Sequence, residues 1–236
     1  MKQSLSQLRL KIKSLSKKTI ATNLQRFFKT DKGDYGEGDK FAGLKVPTQR
    51  KLANEFKHLS LFDLKEILSS PIHEERLISL FILVDKYSKS EKKGREDIFN
   101  FYLKNRKGIN NWDLVDLSAP KIVGKHLENK DKSILFKFAK SNDLWEKRIS
   151  ILSTQHFIKN GNYDTTLHIA EILLNDKHDL IHKAVGWMLR EVGNKDLRTE
   201  ENFLKKHYKK MPRTMLRYSI EKFPGSKRKK YLAGKI

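Results

Sequence analysis

The chain has 236 residues, of which 50 are Lys or Arg and 28 are Asp or Glu, so its formal net charge is +22. This length, with 38% hydrophobic residues, is enough for a sizeable core and is typical of a globular protein. The chain has no cysteine, which excludes disulfides, thiol catalysis and cysteine-based zinc or iron–sulfur sites. No apolar run suits a membrane span or a secretory signal, so the expected location is the cytoplasm, away from membranes.

The positive charge is distributed along the chain as well as concentrated in short basic segments. Lys11–Lys18 and Lys227–Lys230 are such segments, but Lys and Arg also recur within helical patterns. This distribution indicates a polyanion as partner, and nucleic acid is the leading candidate. The alternative is a Lys-rich but otherwise ordinary surface.

Apolar residues recur at helical spacing along the chain. We expect a basic helical N-terminus at 1–18 and a basic tail at 225–236. Pro and Gly together number only 17, and no strand-like alternation is present. The sequence therefore predicts an all-α protein of about a dozen helices. Turn signals separate them: Ser69–Pro71, Ser141–Asp143, Asn160–Asn162 and Gly193–Lys195.

The glycine-rich segment Lys32–Ala42 lacks the GxxxxGK[ST] pattern and follows no strand, so it does not predict a nucleotide site. We expect it to form a loop before a helix that begins near Pro47. The eight histidines show no HExxH motif. His178 and His182 are four residues apart, but no carboxylate follows at a useful distance, so no metal site is expected.

Several predicted helices resemble one another, each pairing a basic residue with an apolar stripe. Arg76 and Arg148 are 72 residues apart, and Lys183 follows Arg148 by 35. The segment that starts at Asn110 fills the missing position. A period in the middle thirties predicts an α-solenoid of HEAT-like or TPR-like repeats, with the basic residues on one concave face. A compact helical bundle is the alternative, and in either case 1–236 is expected to form one domain.

The segment 110–120 contains the first candidate for chemistry. Asn111 is a plausible N-cap, and Trp112 and Asp116 are four residues apart, so they share one helix face. Pro120 is expected to end this helix, and Ser118 to cap the next one. The alternative is structural: Trp112 packs in the core and Asp116 pairs with a lysine.

Two later segments add a cation and a second indole. Arg148 occupies the recurrent basic position, where a guanidinium can bind a carboxylate or phosphate through two hydrogen bonds. Trp187 follows Gly186, a residue that lets another backbone or a ligand approach the helix closely. A core tryptophan is the ordinary interpretation for each indole taken alone.

Three motifs resemble those of the AlkD-like DNA alkylation repair glycosylases, which are built from HEAT-like repeats, and the resemblance covers most of the chain. They are WDLVD at 112–116, NDLWEKRISIL at 142–152 and KAVGWMLRE at 183–191. The resemblance implies that Trp112 and Trp187 form the aromatic walls of the lesion site. It implies that Asp116 is the catalytic carboxylate and Arg148 the basic residue beside it. Phe27 lies where the family often has a tyrosine, so this chain lacks that hydroxyl.

The resemblance implies a bacterial, monofunctional DNA glycosylase that hydrolyses the N-glycosidic bond of cationic N3- or N7-alkylated purines in duplex DNA. No metal or organic cofactor is expected, and the protein is expected to be a monomer. The residues expected to contact DNA are Phe27, Arg148, Lys183, Arg190, Arg213 and Arg217. The alternatives are a non-catalytic HEAT-like scaffold that recognises DNA structure and a protein-binding solenoid, the latter disfavoured by the charge.

Overall fold

The structure is a computed structural model that describes residues 4–236, and within this range it is all-α, which confirms the predicted fold class. The chain divides into two compact units, Met1–Ser118 and Ala119–Ile236. The expected helical N-terminus at 1–18 is represented by the helix Leu5–Leu15 and the start of the next helix. Its first three residues lie outside the described part of the chain. No helix among the described residues is long and apolar enough to cross a membrane.

In its described residues the first unit contains seven α-helices, and the seventh ends one residue past the boundary of the unit. They are α1 (Leu5–Leu15), α2 (Lys18–Phe27), α3 (Val46–Glu55), α4 (Leu61–Leu68), α5 (His73–Lys89), α6 (Lys92–Lys104) and α7 (Trp112–Ala119). Helix α5 forms the centre of the core and packs against α3, α4 and α6. Pro47 is at the second position of α3, where its missing N–H costs nothing, so the expected Pro47-led helix is present.

The second unit begins with a π-helical segment, Pro120–Gly124, and continues with eight α-helices. They are α8 (Ser133–Ala139), α9 (Leu144–Ser153), α10 (Gln155–Lys159), α11 (Asp164–Ile172), α12 (Asp179–Lys195), α13 (Leu197–His207), α14 (Arg213–Ser219) and α15 (Gly225–Leu232). Helix α12 is central and packs against α9, α13 and α14. Its Gly186 allows this closeness, because a Cβ there would lie 2.5 Å from the Met215 carbonyl of α14.

One hydrogen bond between helices recurs in both units. In the first unit, the Ser79 hydroxyl donates to the Leu64 carbonyl at 3.1 Å. In the second, the Ser150 hydroxyl donates to the Leu135 carbonyl at 2.8 Å. Each bond spans 15 residues, and the second lies 71 residues after the first, which is about twice the repeat period inferred from the sequence.

Two local predictions were wrong because packing overrides the sequence signal. Gly193 lies inside α12 instead of forming a turn. The glycine makes room for Glu200 of α13, because a Cβ at this position would overlap the Glu200 carboxylate. Pro120 does end the α-helix, as predicted, since α7 stops at Ala119, and the chain then continues as the π-helical segment, whose first residue needs no N–H. Ser118 caps nothing, because its hydroxyl donates back to the Leu114 carbonyl at 2.5 Å.

The predicted basic tail at 225–236 begins with α15 and is attached to its unit. Tyr231 of α15 is fully buried, and its ring meets Tyr208 edge-on at 5.4 Å. The Tyr208 hydroxyl donates to the Ile236 carbonyl at 2.7 Å. Most of this basic segment is therefore part of the fold.

Candidate functional site

Trp112, at the start of α7, belongs to a stack of aromatic rings. Its indole is nearly parallel to the Phe28 ring, with centroids 5.0 Å apart and an interplanar angle of 13°. Phe27 meets the same indole edge-on at 5.9 Å. Phe28 is buried whereas Phe27 is 63% exposed, so only Phe27 offers its ring to a ligand. The structure thus brings together two of the predicted site residues, Phe27 and Trp112.

The stack continues into the core through Phe41 and His73. Phe28 stacks on Phe41 at 5.0 Å, and Phe41 stacks on the His73 imidazole at 4.6 Å. The imidazole also lies tilted against Phe28 at 4.8 Å. Trp112 is therefore supported from behind by three rings, the deepest of which is a histidine.

His73 is held between two buried carboxylates. Its Nδ1 is 3.0 Å from Asp39 Oδ2, and its Nε2 is 2.9 Å from Asp113 Oδ2. Asp113 belongs to the first turn of α7, directly after Trp112. The histidine thus links the loop that carries Asp39 to the helix that carries Trp112.

Arg76 and Asn111 complete this buried polar cluster. Arg76 Nη2 donates to Asp39 Oδ1 at 2.6 Å, and its Nη1 donates to the Ser70 carbonyl at 2.8 Å. Asn111 is fully buried and its side-chain nitrogen donates to Asp39 Oδ2 at 3.0 Å, while its side-chain oxygen Oδ1 accepts the Trp112 N–H at 2.8 Å. Asn111 therefore receives the first N–H of α7, whereas an N-cap side chain ordinarily accepts the second or third, and it also anchors the helix to the loop.

Charge balance explains how this cluster tolerates burial. Burial opposes the imidazolium, but the Asp113 charge and the hydrogen bonds to Asp113 and Asp39 outweigh it and raise the pKa of His73 to about 9. Burial likewise opposes the Asp39 carboxylate, but hydrogen bonds from His73, Asn111 and Arg76 and the charge of Arg76 lower its pKa. At neutral pH two cations thus face two carboxylates.

We expect the free energy of unfolding to fall as the pH rises from about 6.5 to about 9, because His73 loses its proton. The pKa of His73 is about 9 in the folded protein, against an ordinary value of 6.5 for a histidine in an unfolded chain, so the folded form binds the proton more tightly. The stabilisation is complete below pH 6.5 and is lost as the pH rises through about 9. Urea denaturation at pH 6, 8 and 9.5 measures it, and the His73→Phe variant should have a weaker dependence. An equal decline in that variant would assign the effect to other groups.

The loop between α2 and α3 is ordered by one carboxylate of α5. Glu74 is fully buried and accepts the N–H groups of three consecutive residues, Ala42, Gly43 and Leu44, at 2.8–3.1 Å. Gly43 has a φ of +86°, and a Cβ there would lie 2.2 Å from the Lys17 carbonyl. The tip is different, because a Cβ at Gly33 would meet nothing within 4 Å. The glycine-rich segment is therefore fixed at its base and open at its tip.

Asp116 lies one turn after Trp112 on α7 and is partly exposed. Ser118, on the same helix as Asp116, has its hydroxyl 3.0 Å from the Tyr102 hydroxyl of α6. Burial, with the Asp116 charge adding to it, raises the pKa of Tyr102 well above its usual value. Asp116 thus keeps access to solvent while its electrostatic effect reaches a buried neighbour.

Arg148 and Trp187 belong to the second unit, on α9 and α12. Arg148 is only 5% exposed, and its Nη1 donates to the Leu180 carbonyl of α12 at 2.6 Å. Trp187 lies about two turns further along α12, is partly exposed, and donates from Nε1 to Glu191 Oε1 at 3.0 Å. Arg148 is thus fastened to the helix that carries Trp187.

The other predicted DNA contacts also lie in the second unit. Lys183 pairs with Asp179 at 2.6 Å, and Arg190 pairs with Glu221. Arg213 is exposed and donates to the Leu232 carbonyl at 2.6 Å. Arg217 is exposed and lines a surface groove of about 490 Å³. These cations have different surroundings, and Arg217 is the one suited to a simple charge-removal test.

No group of three His, Asp or Glu side chains able to hold a metal occurs among residues 4–236. The ring of His178 accepts the Leu180 N–H at 3.1 Å and so caps α12. His182 is 2.5 Å from the Asp176 carbonyl. Both histidines therefore have local structural roles.

Sequence reasoning missed the support beneath Trp112, namely Phe28, Phe41, Asp39 and His73, and the share of Asp113 in it. One signal was available: the pair Phe27–Phe28 places two rings at the end of α2, where successive side chains point in different directions, so that one ring can pack inward while the other stays exposed. Nothing in the local sequence marks Asp39 or His73 as partners, because they are 34 residues apart and meet only in the fold.

Comparison with known proteins agrees with this architecture. A solved structure described as a predicted DNA alkylation repair enzyme from Enterococcus faecalis superposes with a TM-score of 0.69. It is 14% identical in sequence, and the match covers 89% of this chain and 97% of the other, so it shows a shared fold. No curated protein matches the chain. The family model described as DNA alkylation repair enzyme matches residues 8–223, nearly the whole chain, and the protein therefore belongs to the DNA alkylation repair enzyme family.

Proposed function

We propose that the protein is a monofunctional DNA glycosylase that hydrolyses the N-glycosidic bond of cationic N3- and N7-alkylated purines in duplex DNA. Family membership supports a role in DNA alkylation repair. The observation that carries the finer proposal is the first turn of α7, where a supported, partly exposed indole precedes a partly exposed carboxylate by one turn. Together these groups offer a π face and a negative charge to one ligand.

The chemistry of an alkylated purine fits such groups. Alkylation at N3 or N7 gives the base a positive charge, so it leaves without the strong general acid that ordinary glycoside hydrolysis requires. The remaining needs are to stabilise the oxocarbenium-like sugar and to place a water. We assign both tasks to Asp116, whose charge opposes the one that develops on the sugar.

The two indoles are assigned to the cationic base and sugar. A cation over the face of a tryptophan gains about 0.5–2 kcal/mol, depending on how far it is desolvated. Phe28 covers one face of Trp112, so a ligand would have to stack on the opposite face. Phe27 and Trp187 would supply further aromatic surface, and Lys183, Arg190, Arg213 and Arg217 the contacts to DNA.

Release of free base from defined duplexes tests the proposal. We expect base release from duplexes that carry 7-methylguanine or 3-methyladenine, and none from those that carry uracil or O6-methylguanine, because the neutral bases are poor leaving groups. The Trp112→Leu, Trp187→Leu double variant keeps apolar bulk without π faces and should release cationic bases more slowly. Efficient release of uracil, or an undiminished rate in the double variant, would contradict the charge-based mechanism.

Arg148 could either contact a DNA phosphate or hold the helix that carries Trp187, and the salt dependence of duplex affinity separates these two roles. Because its side chain is 5% exposed and bonded to Leu180, we expect Arg148→Ala to leave the log–log salt slope of duplex affinity nearly unchanged while lowering turnover. The exposed Arg217 is the matched comparison, and Arg217→Ala should reduce the slope by about 0.9, the value for one phosphate contact on B-DNA. A similar reduction in Arg148→Ala would instead assign Arg148 to a phosphate.

The alternative function, a non-catalytic scaffold that recognises DNA structure, predicts a different result in the same assays. Such a protein would bind duplex or branched DNA with a steep salt dependence but release no base from any of the four substrates. Duplex binding without base release would therefore replace the glycosylase proposal with the scaffold.

A further inference from the structure

His73 is the one residue shared by the two groups that lie behind Trp112. One group is the aromatic stack, in which the imidazole contacts Phe28 and Phe41 at 4.8 and 4.6 Å. The other is the ionic cluster, in which both ring nitrogens bond to carboxylates, Asp39 and Asp113, within 3.0 Å. Since the side chain is 2% exposed, it can move only if its neighbours move.

Three separate segments meet at this imidazole: the α2–α3 loop through Asp39, α5 through His73 itself, and α7 through Asp113. The loop is in turn fixed to α5 by Glu74 and joined to α7 by Asn111. The first turn of a helix has N–H groups without partners inside the helix, so it frays unless something holds it. Here the first turn of α7 is held from the side by His73 and Asn111.

This restraint acts on the residues assigned to the reaction. Trp112 directly precedes Asp113, and Asp116 follows it by less than one turn. A change in the direction of the first turn therefore moves both the indole and the carboxylate, and a displacement of about 1 Å in a reacting group can cost up to roughly 100-fold in rate.

We propose that His73 is a positioning residue of the lesion site: held between Asp39 and Asp113, it fixes the first turn of α7 and the Phe28–Trp112 stack, and so orients Trp112 and Asp116. The catalytic part of this inference rests on the proposed glycosylase function. The structural coupling of His73 to Trp112 does not, and it can be measured without a substrate.

Protonation of His73 offers a way to observe the coupling. The charged groups that face the imidazole are Asp39 from the loop, Asp113 from α7 and Arg76 from α5, while Phe28 and Phe41 are apolar. Loss of the proton near pH 9 leaves two carboxylates facing one guanidinium, which weakens the hold on α7. The surroundings of Trp112 should then change with the same midpoint.

The experiment uses the full chain labelled with ¹⁵N, in which the indole N–H resonances of the three tryptophans are followed by NMR. The Trp112 resonance is assigned by its loss in Trp112→Phe. We expect this resonance to shift between pH 7 and 10 with a midpoint near 9 in the wild type, and the shift to disappear in His73→Phe, which keeps a ring but loses both hydrogen bonds. The indoles of Trp145 and Trp187 serve as internal references.

The matched control is His168→Phe. His168 lies tilted against Phe136 at 4.8 Å, the same separation as His73 from Phe28, but in the second unit. This variant should leave the Trp112 resonance and its pH response unchanged. In single-turnover base release, His73→Phe should be slower by about 10- to 100-fold with unchanged duplex affinity, whereas His168→Phe should match the wild type.

The outcomes separate the two proposals. The positioning role is overturned if the Trp112 resonance responds neither to pH nor to His73→Phe. It is also overturned if the resonance does respond but His73→Phe releases base as fast as the wild type. If the wild type releases no base, the glycosylase proposal fails while the NMR result still decides whether His73 orients Trp112. Should His73→Phe not fold, the wild-type titration and the isosteric Asp113→Asn variant give the same decision.

Discussion

Replacement of Asp116 by asparagine is expected to slow base release by about 100- to 1,000-fold while leaving duplex affinity nearly intact. The physical reason is that the carboxylate charge opposes a positive charge that develops only in the transition state, so the ground-state complex loses little. Single-turnover release from a 7-methylguanine duplex, with affinity measured in parallel, tests both halves of the prediction.

Asp85→Asn is the control for the loss of one negative charge. Asp85 is on α5 of the same unit and pairs with Lys89 one turn later at the surface. It should behave as the wild type in rate and affinity. If Asp116→Asn instead lost binding and turnover equally, Asp116 would be a structural residue of α7 rather than a catalytic one.

Replacement of Asp39 by alanine is expected to destabilise the protein by about 3–5 kcal/mol. Asp39 accepts hydrogen bonds from Arg76 and Asn111 and bonds to His73, and its side chain is 4% exposed. Its removal leaves the guanidinium with an uncompensated charge in the interior. Urea denaturation at pH 7 measures the loss of unfolding free energy.

Asp34→Ala provides the comparison within the same loop. Asp34 is exposed at the tip, five residues before Asp39, and its replacement should change stability by no more than about 0.5 kcal/mol. If Asp39→Ala lowered the free energy of unfolding as little as Asp34→Ala, the buried cluster would contribute little to stability.

The all-α class could be predicted from the sequence because it depends on local periodicity. Apolar residues recur at helical spacing along α5 and α9, although both helices bury consecutive residues and not a single stripe, and the turns at Ser69–Pro71 and Ser141–Asp143 separate helices as expected. The pairing of Trp112 with Asp116 on one helix face was predictable for the same reason, because four residues make about one turn.

The support of the candidate site could not be predicted, because it depends on contacts between distant segments. Asp39 was seen only as part of a glycine-rich loop, and His73 only as a histidine without a motif, yet both bond to each other across 34 residues. Gly193 was misinterpreted for a related reason: its local signal for a helix end loses to the packing of Glu200 against it.

The contrast within the α2–α3 loop has a practical consequence for labelling the protein. Glu74 and Gly43 fasten the base of the loop, while the neighbourhood of Gly33 is open. Since the chain contains no cysteine, Asp34→Cys would create a single thiol at the exposed tip, and a dye attached there would be site-specific without removal of any native residue elsewhere. Its linker would start from a loop whose base is anchored, so changes in its emission on addition of duplex would report on events at the open tip.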